Sequence, residues 1–154
     1  MVIYHKARRL AREVIRRSQQ VDGSDTLISY QLLIEVSQPL RCTIGRLGEF
    51  DFPAGRYVYT GSARRGLEAR IARHTRQKKA LRWHIDYLLN APGVGVIEVI
   101  RSRRSECALN RGVAGGIVAF GFGASDCRAG CGAHLKHLLT ADAKLSTLWR
   151  QSHL

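Results

Sequence analysis

What the sequence lacks excludes several classes of protein. No apolar run approaches the roughly 18 residues that a membrane-spanning helix needs, so we expect no membrane partner. The chain has no internal repeat, no glycine-rich loop of the nucleotide-triphosphatase kind and no serine-hydrolase elbow. Acidic residues are also scarce, with 12 Asp and Glu against 25 Lys and Arg. The resulting formal charge of +13 is typical of a protein whose partner is nucleic acid.

The length of 154 residues suits one domain with a hydrophobic core. We assign that domain to residues 26–140, a basic helical extension to residues 1–25, and a C-terminal helix or tail to residues 141–154. The basic run at 7–17 lacks the uninterrupted apolar centre of a signal peptide, so we expect a cytoplasmic protein. A docked helix and a frayed start both fit this run.

Residues 57–74 carry the most informative pattern, a strand that passes through a glycine turn into a basic helix. Residues 57–60 are aromatic or β-branched, as strands favour, and Gly61 is expected to end the strand. The helix that follows places two apolar and two basic side chains on one face, namely Leu67, Arg70, Ile71 and His74. Because a purely structural helix would keep this face apolar, the pattern indicates a phosphate site.

The rest of the chain predicts an α+β domain with a small, mainly antiparallel sheet flanked by helices. Alternating apolar residues at 29–36 predict a first strand with one apolar face. A hairpin is expected from 41–44 and 50–52, a helix over 81–89, and a buried strand over 94–100. Ser105 is an expected N-cap, which puts Glu106 in the first turn of the next helix. Residues 120–123 are expected to form a flexible approach to the cysteines.

The motif Tyr59-Thr60-Gly61, followed by Arg70 and then His74, resembles the second half of the GIY-YIG nuclease signature. Three blocks resemble the small Uri-type branch of that superfamily: GEFDFPAG at 48–55, WHIDY at 83–87 and SDC at 125–127. The first half of the signature is degenerate. Tyr30 matches its tyrosine, but residues 28 and 29 are Ile and Ser where glycine and its neighbour usually stand.

The resemblance implies a metal-dependent endonuclease that acts on DNA. Tyr59 or Tyr30 would accept a proton from water, Arg70 would hold the scissile phosphate, and His74 would share the proton transfer or contact phosphate. Because a free tyrosine has a pKa near 10, a tyrosine base would need a nearby cation to lower that pKa. Glu106 would hold one Mg²⁺ or Mn²⁺ that stabilises the departing 3′ oxygen.

Two alternatives stay open at the proposed metal ligand and at the nucleic-acid surface. Glu106 could simply complement the dipole of its helix, and Glu98 is the second candidate ligand. Trp83 could stack on a base or pack against the domain. The residues expected to contact nucleic acid are Arg64, Arg65, Arg73, Lys78, Lys79, Trp83 and His84.

The cysteines predict a second metal site. Without a secretory signal, disulfides are not expected, and thiols or metal ligands are favoured. Cys127, Cys131 and His134 lie within eight residues, a spacing that resembles half of a structural zinc site. Cys107 or His137 could supply the fourth ligand, and a loop with free thiols is the alternative.

A binding module that has lost catalysis is the competing interpretation, because the first motif is degenerate. It would keep the scaffold and the basic surface, with or without zinc. The two hypotheses differ at Tyr59, Arg70 and Glu106: convergence of these side chains on one basic cleft favours catalysis.

Overall fold

The computed structural model describes residues 27–139, so the expected extension at 1–25 and the expected tail at 141–154 lie outside the described residues. Within the described range the elements are β1 Ser29–Val36, β2 Leu40–Ile44, β3 Gly48–Phe52, β4 Gly55–Ser62, α1 Leu67–Thr75, α2 His84–Leu89, β5 Val94–Ser102, α3 Glu106–Arg111 and β6 Leu135–Leu138. A 3-10 turn over Gly45–Leu47 joins β2 to β3. None of the helices in this range is long and apolar enough to cross a membrane.

Four strands form one antiparallel sheet in the order β5-β1-β4-β6, and β2 pairs with β3 as a separate hairpin. In the central pair, Tyr30 lies opposite Gly61 and Leu32 lies opposite Tyr59. The helices α1, α2 and α3 lie around this sheet. The expected α+β fold with a central antiparallel sheet is therefore confirmed.

β1 is buried on both faces, not on the single face that its alternation predicts. Tyr30, Leu32 and Ile34 belong to the main core, whereas Leu33 packs with Val58 in a second cluster on the other side. Each fully buried aliphatic side chain of this kind contributes about 1.5–3 kcal/mol. The reason is topological: β1 is a central strand, and residues 113 and 138 cover the face that an exposed sheet would leave to water.

β4 does not end at Gly61 but continues to Ser62, contrary to the expected break. Gly61 stays in the ladder because it pairs with Tyr30. A Cβ at Gly61 would lie 2.5 Å from Cζ and Oη of Tyr30, so only glycine lets that ring lie against the strand. The glycine of the motif therefore serves close packing rather than a turn.

Two other boundaries differ from the expectation. α2 begins at His84 rather than at residue 81, because Asp86 accepts the backbone N–H groups of Arg82 and Trp83 and fixes the start of the helix. β5 extends to residue 102 and is an edge strand, with Val96 and Val99 as its buried residues. The prediction of a buried strand holds only for these two residues, because the other side chains of β5 are partly exposed.

Residues 120–123 pack into the domain and are not a loose approach. Phe122 is fully buried and its ring lies 6.4 Å from that of Phe52, whereas Phe120 is exposed. The sequence did not predict β6, in which Leu135 pairs with Tyr59. Four residues at a sheet edge give too short an alternation to identify.

Candidate functional site

An open cavity of about 300 Å³ lies where β1, β4, α1 and α3 meet, and we call it the site cavity. Four elements each contribute one lining residue: Tyr30 from β1, Tyr59 from β4, Arg70 from α1 and Glu106 from α3. Trp83, His84 and Asp126 are also in its wall. Tyr59, Arg70 and Glu106 therefore converge on one cavity. However, the lining arginines, residues 70 and 82, are matched by two carboxylates, residues 106 and 126, so that cavity is charge-balanced rather than basic.

The two motif tyrosines lie side by side, with ring centroids 6.4 Å apart. The hydroxyl of Tyr30 is 2.5 Å from Nε2 of His74, and both side chains are buried. The ring of Tyr59 meets that of His74 at 5.9 Å, edge to face. His74 is therefore buried beside the two tyrosines and contacts the site cavity through Tyr30, rather than facing solvent.

Burial dominates the acid–base properties of this group. Desolvation raises the pKa values of Tyr30 and Tyr59 well above 10, and the Arg70 cation offsets only part of the effect. The Arg70 cation alone therefore does not give either tyrosine the lowered pKa that a tyrosine base would need. Burial also lowers the pKa of His74 to about 3, helped by the Lys79 cation, so this imidazole is neutral at pH 7.

Arg70 is half-buried in the wall of the cavity. Its Nη1 donates a 2.6 Å hydrogen bond to the carbonyl of Ser62, and its guanidinium lies 4.9 Å above the ring of Trp83. A guanidinium has five N–H donors, of which this bond uses one. The contacts therefore hold the cation in place and leave donors for an oxyanion.

Two residues that we expected to contact nucleic acid have partners inside the domain. Arg73 forms a two-bond pair with Asp86, at 2.8 and 2.9 Å. Although burial raises the pKa of Asp86, the bonds from Arg73 and from two backbone N–H groups outweigh burial and lower it. Lys79 donates to the carbonyls of Arg73 and His74, which caps the C-terminal end of α1.

The other expected contacts remain on the surface or in the cavity wall. Arg64, Arg65 and Lys78 are exposed. Trp83 is 37% exposed, and the guanidinium of Arg73 covers part of its ring at 4.2 Å. His84 lines the cavity, and its Nδ1 accepts the N–H of Gly123 at 2.9 Å, which fixes the ring.

Glu106 begins α3, and the expected N-cap is confirmed because Ser105 accepts the N–H of Ala108. The carboxylate is held at both oxygens: Oε2 accepts from the hydroxyl of Ser62 at 2.8 Å, and Oε1 lies 3.1 Å from Nδ1 of His134. The alternative ligand, Glu98, is on β5 and is not among the residues that line the site cavity.

A second centre lies directly behind Glu106 and consists of Cys107, Cys127, Cys131 and His134, which we call the thiol–imidazole cluster. Its ligand atoms all lie within 4.8 Å of one another, so this group could hold a metal ion. Cys107 supplies the fourth ligand that the sequence left open. His137 does not, because its ring stacks on Tyr57 at 4.5 Å.

The surroundings of the thiol–imidazole cluster shift the pKa values of its members in different directions. Hydrogen bonds from the backbone N–H groups of Cys131 and Ala129 lower the pKa of the Cys127 thiol. Burial lowers the pKa of His134, but the hydrogen bond to Glu106 and the bonds to the neighbouring thiols outweigh it and raise that pKa to about 9. Burial, reinforced by the other thiols, raises the pKa of Cys107.

The sequence did not identify several residues that line the site cavity, and three of them are charged or contact its charged groups. Ser62 was interpreted as part of a turn, yet it contacts both Arg70 and Glu106. Arg82 belongs to no motif of the sequence, so only its charge marked it as a possible site residue. Asp126 belongs to the block SDC at 125–127. It lines both the cavity and the pocket at the cluster, and that block was the sequence signal that could have identified it.

The comparison with protein families gives one match, over residues 29–153, to the family described as Domain of unknown function DUF123. The chain belongs to this family. No curated protein and no solved structure matches the chain. Because the description of DUF123 names no activity, the resemblance of this DUF123 chain to GIY-YIG nucleases stays a prediction that rests on the residues of its cavity.

Proposed function

We propose that this protein is a metal-dependent endonuclease of the GIY-YIG type that hydrolyses phosphodiester bonds in DNA. One observation carries the proposal: Tyr30, Tyr59, Arg70 and Glu106, which the motif resemblance selected from separate parts of the chain, line the same cavity. Hydrolysis adds the oxygen of water to phosphorus and releases the 3′ oxygen as the leaving group. The reaction therefore needs a proton acceptor, a cation at the phosphoryl oxygens and help for the leaving oxygen.

Arg70 is the proposed phosphate ligand. Its guanidinium is anchored by Ser62 and by the face of Trp83, so little further ordering is needed when a phosphate binds. A planar guanidinium can donate two parallel bonds to phosphate oxygens, which holds the phosphorus in a defined position. Removing one preorganised donor of this kind typically lowers a rate about 100- to 1,000-fold.

Tyr30 and His74 are the proposed pair that positions the attacking water. The neutral ring of His74 has one nitrogen that can accept a hydrogen bond, and its Nε2 is 2.5 Å from the Tyr30 hydroxyl. His74 stays neutral and accepts the hydrogen bond of the Tyr30 hydroxyl, so the Tyr30 oxygen is fixed with a lone pair for the attacking water, and the proton that this water releases would leave to solvent through the open cavity. Tyr59, beside Tyr30, is placed to orient that water.

Glu106 is the proposed ligand for Mg²⁺ or Mn²⁺. The donors fit: a carboxylate in an open, polar cavity, with Asp126 as a second carboxylate in the same wall, offers the oxygen ligands that these ions prefer. Such an ion, when bound, supplies positive charge for the departing 3′ oxygen. Ser62 and His134 hold the carboxylate ready for it.

Zinc is the proposed metal of the thiol–imidazole cluster. Two thiolates bound to tetrahedral zinc lie about 3.8 Å apart, since each Zn–S bond is about 2.3 Å. The Sγ atoms of Cys107 and Cys127 are 3.7 Å apart, and Nε2 of His134 is 3.9 Å from Cys107 Sγ. Three sulfurs and one nitrogen with no open position are the donor set of a structural zinc site.

The degenerate first motif does not block the cavity. Neither Ile28 nor Ser29 is among its lining residues. Ser29 is buried, and its hydroxyl donates to backbone carbonyls of Ser102 and Arg104 instead. The substitution therefore stabilises the end of β1 without narrowing the proposed site.

The test is cleavage of plasmid, branched and single-stranded DNA, and of RNA, with Mg²⁺ or Mn²⁺, by the intact protein and by Arg70→Ala. We expect the intact protein to cut at least one DNA substrate and Arg70→Ala to cut about 100-fold more slowly or worse. Binding of the same substrates, measured by fluorescence anisotropy, should change much less. If both proteins bind alike and neither cuts, the protein is a binding module and the nuclease proposal is wrong.

A further inference from the structure

The site cavity and the thiol–imidazole cluster share one turn of helix. Glu106 lines the cavity and its neighbour Cys107 belongs to the cluster, so α3 contributes the adjacent residues to two different centres. His134 spans the gap between them. Its Nδ1 is 3.1 Å from Oε1 of Glu106, while its Nε2 is 3.9 Å from Sγ of Cys107.

The ring of His134 has little freedom to move. It is 2% exposed, and its backbone is bonded on both sides, with its N–H donating to the carbonyl of Phe122 at 2.8 Å and its carbonyl accepting from Thr60 at 2.9 Å. Thr60 follows Tyr59 in β4, so the same strand fixes a cavity tyrosine and the bridging histidine. Because the ring cannot turn away, a bond formed at one ring nitrogen determines what the other nitrogen can do.

We propose that His134 is a positioning residue through which the metal of the thiol–imidazole cluster orients Glu106 in the site cavity. A metal at Nε2 leaves Nδ1 as the only ring nitrogen that can carry hydrogen, so Nδ1 donates to Oε1 of Glu106. Ser62 holds the other oxygen. With both oxygens held from behind, the carboxylate keeps one orientation toward the cavity.

The inference extends beyond a structural role for the cluster metal. A structural site stabilises the fold and can be replaced by any other device that holds the loop at 127–134. The arrangement here makes one ligand of the cluster a hydrogen-bond donor to the proposed ligand of the catalytic ion. The consequence for cleavage rests on the proposed function, whereas the hydrogen bond itself does not.

The first test reads the hydrogen bond without reference to activity. In heteronuclear NMR of the histidine side chains of the zinc-loaded protein, His134 should show hydrogen on Nδ1, and this hydrogen should exchange slowly with water. Its resonance should move in Glu106→Ala, while that of His137 should not. A His134 ring with hydrogen on Nε2, or an Nδ1 hydrogen that does not respond to Glu106→Ala, would overturn the proposal.

The second test uses His134→Cys, which keeps four metal ligands but removes the donor to Glu106. His137→Cys is the matched control, because it makes the same change three residues away, on a ring that stacks on Tyr57. We expect His134→Cys to retain one zinc per chain and to lose about 10- to 100-fold in Mn²⁺ affinity and in cleavage rate. His137→Cys should retain both properties.

The outcomes separate the two proposals. If the intact protein cleaves no substrate but the NMR signature of the bond is present, the nuclease proposal fails and the coupling stands. If the intact protein cleaves DNA and zinc-loaded His134→Cys cleaves it equally fast, the coupling is wrong and the nuclease proposal stands. Should His134→Cys fail to fold, the NMR comparison with Glu106→Ala still decides.

Discussion

The site cavity and the thiol–imidazole cluster differ in whether their polar side chains already have hydrogen-bond partners within the protein. The polar groups of the cavity already have protein partners, as Tyr30 has His74, and Arg70 and Glu106 both have Ser62. The thiols of the cluster lie mainly against one another and against an imidazole. The cavity should therefore keep its shape when empty, whereas the cluster should need its metal to hold the loop. The proposal of a catalytic metal at the cavity and a structural metal at the cluster predicts such a difference.

The largest expected effect on stability comes from replacing one ligand of the thiol–imidazole cluster. Cys127→Ser should lower the free energy of unfolding by on the order of 5 kcal/mol or prevent folding, because metal binding at such a site is coupled to folding. Cys42→Ser is the matched control, since Cys42 is half-exposed on the hairpin and belongs to no group of possible metal ligands among the described residues. Denaturant unfolding with zinc quantitation measures both variants. Equal stability of the two would contradict a structural metal.

Arg70 and Arg73 allow a similar comparison between a residue of the cavity and a residue that stabilises the fold. Both are on α1, and both guanidinium groups lie over the ring of Trp83. Arg73→Ala leaves the fully buried carboxylate of Asp86 without its cation, so we expect a loss of about 3 kcal/mol in the free energy of unfolding. Arg70→Ala should cost about 1 kcal/mol or less, because its protein partner is one carbonyl. Thermal unfolding measures both. A larger stability loss for Arg70→Ala would mean that Arg70 is structural.

Measuring stability against pH tests the burial of His74 beside the site cavity. The pKa of His74 is lowered to about 3 in the folded state, so the unfolded chain binds a proton first as the pH falls below about 6.5. The contribution of His74 to the free energy of unfolding is complete above pH 6.5 and is lost as the pH falls toward 3. By pH 5 the loss amounts to about 2 kcal/mol. The charged groups facing this ring are Lys79, Arg70, Arg73 and Asp86.

The control for this titration is His74→Gln, which keeps a hydrogen-bond acceptor near Tyr30 and does not titrate. Urea unfolding between pH 7 and pH 5 should show a clearly smaller loss of stability in the variant than in the intact protein. Equal slopes for the two proteins would show that His74 is solvated and protonates normally.

The smallest expected effect concerns two exposed arginines that precede α1. Arg64 and Arg65 are exposed at the start of α1. Replacing both with alanine should weaken DNA binding about fivefold, more at low salt than at high salt, without changing the thermal midpoint. Fluorescence anisotropy at several salt concentrations measures this. An affinity that is unchanged at low salt would remove these residues from the interface.

The sequence predicted those parts of the site that depend on local pattern. The strand at 29–36, the hairpin and the helix that carries Arg70 all follow from apolar periodicity, and the cap at Ser105 follows from residue type. It did not predict that Gly61 stays in a strand, because this depends on the ring of Tyr30 across the sheet. Contacts between distant segments leave no periodic signal.

The same reasoning explains the charged residues of α1. Arg73 and Lys79 look like surface cations in sequence, but Asp86 and the end of the helix bind them. The bridge from His134 to Glu106 joins residues 28 positions apart. Burial of His74 also depends on the sheet behind it. Each of these features is a property of packing, which spacing along one chain does not encode.

The most direct test of the central claim, that the site cavity is a metal-dependent phosphodiesterase site, compares Glu106→Gln with Glu98→Gln. Both variants remove one carboxylate charge, but only Glu106 lines the cavity. In single-turnover cleavage of the best DNA substrate with Mg²⁺, Glu106→Gln should be slower by about 100-fold or more while Glu98→Gln matches the intact protein. Equal rates for all three proteins would contradict the assignment of the metal site to Glu106 and of catalysis to this cavity.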